Sequence, residues 1–210
     1  MPRGFSDEEK DRIRARLLEK GRGLFEQYGL KKTNVEDLTR AAGISKGAFY
    51  HFYESKEELF FEILDRVEEE FHQKVFTAAV DETLPAREGL IRFLRTVFDQ
   101  LEHYPLLYSV GKDEYESLLR KLPREKAEAH VRGDALALEQ VMSRFRQSGR
   151  LREIDPQLFA NLGVSLYLLW MHRDDMVFSR FQETLDAWIE MLAGYLVLDD
   201  ETTRPRGQKE

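Results

Sequence analysis

Residues 33–56 read TNVEDLTRAAGISKGAFYHFYESK, and the punctuation in this stretch decides how the chain folds. Asn34, followed three positions later by Asp37, has the pattern of a capping box that opens a short helix. Val35, Leu38 and Ala42 give that helix one narrow apolar face. Gly43 falls where a left-handed residue would stop it, a conformation that only a residue without Cβ adopts cheaply. Ile44 is the apolar plug of the turn, and Ser45 can cap a second helix carrying Lys46, Gly47, Ala48, Tyr50 and His51. Ser55 and Glu58 repeat the S-x-x-E pattern and open a third. Two short helices about a glycine turn, the second polar on its outer face, predict a helix-turn-helix over residues 34–53 of the kind that reads DNA.

Upstream, Ser6 and Glu9 form another capping pattern, opening a helix that ends at Gly29. Ile13, Leu17, Gly21, Leu24, Phe25 and Tyr28 follow its 3.6-residue period, while Arg12, Arg16, Lys20 and Arg22 make a solvated face, with Arg3 and Arg12 as candidates for backbone contact. Downstream, residues 56–80 contain neither Pro nor Gly and are striped by Leu59, Ile63, Val67, Phe71, Val75 and Ala78. One continuous helix is predicted there, roughly 37 Å long. It starts beside the helix-turn-helix and ends inside whatever follows, so it is the natural mechanical link between two domains.

Prolines punctuate the remainder into helices at 87–104, 113–122, 125–148, 157–172 and 181–198, with no competing strand pattern. The fold class is therefore all-α. A helix-turn-helix domain occupies 1–55, the connecting helix 56–80, a helical ligand-binding and dimerisation domain 81–198, and a polar tail 199–210. The helix at 157–172 is apolar nearly all round and must be buried on more than one side. Either it lies deep in a monomer, or it joins the last helix in an isologous four-helix dimer interface. The interface candidates are Leu162, Leu166, Leu169, Leu185, Trp188, Leu192 and Tyr195.

The charge sum of −7 argues at first sight against a nucleic-acid partner. Its distribution removes the objection, because residues 1–60 carry 12 Lys and Arg against 11 Asp and Glu, and the acidity sits in the rest. The chain has no cysteine, which excludes disulfides and Cys-based zinc sites and fits a cytoplasmic setting. Its longest apolar stretch, residues 164–171, falls far short of the roughly 20 residues of a membrane span. His172-Arg173-Asp174 imitates part of a kinase catalytic loop, but no glycine-rich loop or strand lysine accompanies it. The five histidines show no i,i+4 pairing that would hold a metal, and no catalytic constellation stands out. No cofactor or metal is expected, and the chain is read as a non-enzyme.

Residues 10–70 resemble the DNA-binding domain of TetR-type transcriptional repressors, on the strength of AAGISKGAFYHFYESKEEL from Ala41 to Leu59 with Gly29, Thr33 and Leu38 at matching offsets. The resemblance implies a homodimeric repressor on a near-palindromic operator, released by a small effector. It implies Lys46, Gly47 and Ala48 at the start of a recognition helix in the major groove, Tyr50 and His51 on phosphates or base edges, and phosphate contacts from Thr33, Asn34 and Lys56. The chain departs from the family pattern at Phe52 and Tyr53. The family places its effector among the helices of the second domain. There Phe93, Phe98, His103, Tyr104, Tyr108, Tyr115, Phe145, Tyr167, Trp170 and Met171 read singly as core, and as a set as a mainly apolar pocket with a few polar anchors. A helical enzyme or carrier with a structural N-terminal domain, or a DNA-binding regulator without effector, would share most of these features.

Overall fold

The computed structural model of the chain describes residues 5–79, 84–110, 112–128, 140, 143, 152–175 and 180–198. Among them the order is α1 (Asp7–Lys32), α2 (Val35–Ala42), α3 (Lys46–Phe49), α4 (Lys56–Ala79), α5 (Ala86–Leu101), a 3-10 turn (Pro105–Leu107), α6 (Lys112–Leu119), α7 (Pro156–Met171), a second 3-10 turn (Arg173–Asp175) and α8 (Phe181–Leu196). The described residues contain no β-strand beyond a single bridging residue at Val197. Most of the helix predicted at 125–148, Phe145 included, lies outside the described residues, as do the tail and Arg3.

The chain forms two compact units that interleave in sequence: Met1–Phe71 with His103–Val131, and His72–Glu102 with Arg132–Glu210. The core of the first is built on α1 and α4, with Leu17, Phe25, Phe49 and Leu59 fully buried and the rings of Phe25 and Phe60 meeting edge to face at 5.2 Å. Gly21 sets how closely these helices approach, since a Cβ there would lie 3.0 Å from Ile63 Cδ1 and 3.3 Å from Leu59 Cδ2. A larger side chain would overpack the contact.

An ion network ties α1 to α4 across this core. Arg14 reaches both carboxylate oxygens of Glu62 (2.8 and 3.2 Å), Arg66 donates to one of them at 3.1 Å, and the Tyr53 hydroxyl donates to the other at 2.9 Å. Burial alone would push the Glu62 carboxyl up; the Arg14 and Tyr53 hydrogen bonds and the arginine charges override it and hold the carboxyl below its ordinary 4.5. Burial, and then the Glu62 charge, push the Tyr53 phenol up, so the ring stays a donor. A carboxyl with a depressed folded pKa stabilises the fold above its unfolded pKa and loses that contribution as pH falls through the folded value. Glu62→Gln should therefore lower the melting temperature at neutral pH, and the gap from wild type should narrow as pH drops below about 4.5. Parallel thermal melts across pH check this, and a gap that is constant with pH would show that the charge of Glu62 is not used.

In the second unit α8 packs on α5 and α7. Leu185, Ile189, Ala193 and Leu196 form its buried stripe, and Arg95 pins it from α5 through Asp186 (2.7 Å) and Glu190 (3.4 Å). Asp155 caps α7 as expected, accepting from the N–H groups of Gln157 and Leu158 with Pro156 in the first turn.

Candidate nucleic-acid interface

The local rules read from residues 33–56 hold at atomic detail. Asn34 Oδ1 accepts from the Asp37 N–H at 2.9 Å while Asp37 returns an oxygen to the Asn34 N–H at 3.4 Å. Gly43 stands at φ 67°, ψ 39°, the left-handed stop that an L side chain would strain. Ser45 Oγ accepts from the Ala48 N–H at 3.1 Å and opens α3. The third cap is offset by one residue: the Glu58 N–H donates to Ser55 Oγ (3.2 Å), but the Glu58 carboxylate takes the N–H of Glu54 (2.7 Å) rather than that of Ser55. Gly29, at φ 75°, breaks the dihedrals of α1 where the sequence placed its end, and one further turn carries the chain to Lys32.

These caps decide what faces outward. Lys46, Gly47, Tyr50 and His51 are exposed, Tyr50 at 51%. Phe49 is fully buried and packs at 5.9 Å against Tyr53, so Tyr53, one of the two residues at which the chain leaves the family pattern, is a core residue here. Phe52 lies half-buried with its ring 6.2 Å from that of Phe5.

Three expected contacts are placed otherwise. Ala48, 8% exposed, turns its methyl inward beside Phe49, because residues 48 and 49 occupy the core side of so short a helix. Thr33 is 2% exposed, and its hydroxyl donates to the carbonyls of Gly29 (2.8 Å) and Leu24 (3.4 Å). Lys56 is half-buried, with Nζ donating to the carbonyls of Leu30 and Thr33 at 2.7 Å each. It thereby closes the end of α1, where carbonyls have no partner within the helix and a cation is favoured.

Two residues absent from the sequence-derived set join the surface. Glu36, in the first turn of α2, holds Lys46 Nζ at 2.5 Å. The hydrogen bond between them lowers the Glu36 carboxyl and raises the Lys46 ammonium. Arg16 reaches across from α1, its Nη1 3.6 Å from where a Cβ on Gly43 would stand, and with Arg12 and Ser45 it lines an open cleft of about 710 Å³ beside the turn. Arg16 repeats Arg12 at a spacing of four, which marks a shared helix face, but the sequence carries no sign that this face meets the turn.

The aromatic residues read as a possible effector set are divided between the two units. Tyr104 and Tyr115 pack in the core of the first, against Phe71 (5.6 Å) and Phe61 (6.4 Å), and His103 and Tyr108 belong to the same unit. Phe93, Phe98 and Trp170 are buried in the second, where Tyr167 and Met171 are half-buried and Arg173 stacks 4.0 Å over Trp170. Within that second unit, α7 and α8 leave an apolar groove of about 330 Å³ lined by Leu162, Leu169, Trp188, Met191, Leu192 and Tyr195. Leu166 borders it but is itself buried, and Leu185 is buried on the inner stripe of α8.

Residues 17–63 match the family model of the bacterial regulatory proteins of the tetR family. The chain is 27% identical over 157 residues to the HTH-type transcriptional regulator YhgD of Bacillus subtilis, covering 72% of this chain and 78% of that one. It is 31% identical over 105 residues to the HTH-type transcriptional repressor KstR2 of Mycobacterium tuberculosis, spanning 50% of this chain and about half (52%) of the repressor. Among solved structures, a TetR-family transcription regulator from Marinobacter aquaeolei superposes with a TM-score of 0.61 at 21% identity, over 92% of this chain and all of the other (100%). SmeT, the repressor of the Stenotrophomonas maltophilia efflux pump SmeDEF, superposes with a TM-score of 0.59 at 23% identity, over 94% and 96% of the two chains.

Proposed function

We infer that this chain, which belongs to the TetR family of bacterial transcriptional regulators, is a DNA-binding repressor that works as a homodimer on a near-palindromic duplex and is released by a small, largely lipophilic effector. The observation that carries the DNA reading is the triple cap at Asn34, Gly43 and Ser45, which exposes Lys46, Gly47, Tyr50 and His51 side by side while burying Ala48 and Phe49. A four-residue helix with a glycine in its first turn admits close approach to a groove, and lysine, tyrosine and histidine supply donors to guanine edges and phosphates. Two copies on one duplex would stand about 34–36 Å apart, one helical turn.

Release works by population shift. An effector bound by the region 81–198 need only prefer the conformation that binds DNA poorly, and a twentyfold to hundredfold loss of affinity needs about 2–3 kcal/mol of differential binding. The helix α4 runs unbroken from Lys56 to Ala79, its residues up to Phe71 in the first unit and the rest in the second, and it is the carrier of that shift. The relatives matched here are regulators by name, which speaks against an enzyme.

Selection of duplexes from a randomised library, followed by gel shift on the enriched sequence and on the region upstream of the gene, tests the reading. Lys46→Ala and Tyr50→Ala should each weaken binding about tenfold or more with the oligomeric state unchanged. Undiminished affinity in both variants would remove α3 from the interface.

A further inference from the structure

The ion pair between Glu36 and Lys46 places a carboxylate against a lysine of the surface read above as DNA-facing, where it should repel the ligand. The pair spans ten residues, joins the first turn of α2 to the first turn of α3, and leaves both side chains 54% exposed. It serves no cap: α2 is closed by Asn34 and Asp37, and α3 by Ser45. The other charge nearby is Arg40, which pairs with Asp37 at 3.4 Å. Neither burial nor capping accounts for Glu36, and a carboxylate there would repel a phosphate.

We propose that Glu36 is a specificity-determining residue, holding Lys46 so that the lysine is available to a base edge and withheld from phosphate. An ammonium has three N–H donors. With one on Glu36, two remain, enough for O6 and N7 of a guanine, whose edge carries only partial charge. A phosphate carries a full negative charge, so a phosphate contact made by Lys46 forces either the loss of the ion pair or the approach of two anions. Glu36 thus taxes the contacts that every DNA sequence offers and spares the contact that only a matching base pair offers. Such discrimination by repulsion is the usual route to specificity where attraction alone is indiscriminate.

The proposal rests on the DNA reading, and the test separates the two. Fluorescence anisotropy of full-length protein is followed over a sodium chloride series on two probes, a mixed-sequence duplex and the duplex enriched by selection with wild-type protein. Glu36→Gln should tighten binding to the mixed-sequence duplex about two- to fivefold. It should also steepen the logarithmic salt slope there by about 0.9, one additional phosphate. Affinity for the enriched duplex should stay as it was, so the specificity ratio falls. In a Lys46→Gln background, Glu36→Gln should leave the slope unchanged. Equal tightening on both duplexes, no change on either, or a slope that still steepens without Lys46 would each overturn the proposal while leaving DNA binding intact. Wild-type protein that enriches no duplex would overturn the DNA reading itself, and the proposal with it.

Discussion

Trp188→Glu should convert the protein to monomers and cost it most of its grip on DNA. The expectation follows from how α8 is divided. Leu185, Ile189, Ala193 and Leu196 face inward, whereas Trp188 and Met191 are 50% and 56% exposed on the other side, with Tyr195 beside them. On α7, Leu158, Val164 and Leu168 are likewise exposed. Two adjacent helices with apolar outer faces and a groove of about 330 Å³ between them make a surface that a soluble chain normally covers. In the proposed homodimer a second copy of the same two helices would cover it by a two-fold operation, each tryptophan meeting the partner's groove. A central tryptophan in such an interface is the type of residue whose loss costs most, and a carboxylate left there would be desolvated without a partner. The dimer dissociation constant should rise about a hundredfold or more. DNA affinity should fall by a similar factor, because each recognition element then binds alone. Sedimentation equilibrium measures the first effect and gel shift the second, with circular dichroism showing the helices retained. A variant that stays dimeric would move the interface elsewhere. Trp188→Phe should keep the dimer.

Lys56→Ala separates a strut from a phosphate contact. The ammonium closes the carbonyls of Leu30 and Thr33 at the end of α1 and so fixes the start of α4 against the entry to α2. Hydrogen bonds from a charged donor are worth about 1.5–3 kcal/mol, and their removal here leaves half-buried carbonyls unmet. The variant should therefore melt at a lower temperature and bind every duplex more weakly, since the helix-turn-helix loses a support, with the salt slope unchanged. A phosphate contact predicts the opposite pair of results: an unaltered melting temperature and a slope shallower by about one unit. Thermal melts and a salt titration on one preparation decide between them.

The signals that survive from sequence to structure are those that act within a few residues. A capping oxygen reaches an N–H three positions on, and a glycine takes its left-handed φ from its own missing Cβ. Asn34, Gly43, Ser45 and Asp155 could therefore be assigned before any coordinates, along with the long helix after Ser55 and the all-α class. The apolar period of α8 was legible too, but only as a stripe. Its division into an inner edge at Leu185 and an outer edge at Trp188 depends on where α5 and α7 stand, which no periodicity encodes. The same holds for the aromatic set: Tyr104 and Tyr115 look like their neighbours in the chain, yet they are consumed by the core built on α1 and α4.

By itself, then, the sequence determined the helices of the described residues to within a few positions and the glycine turn, because those depend on backbone sterics and hydrogen bonds between near neighbours. Only the tertiary structure decided that Lys56 props α1, that Thr33 and Ala48 are buried, and that Glu36 holds Lys46. Each of those roles depends on a distance between residues far apart in the chain, and such distances exist only once the helices are packed.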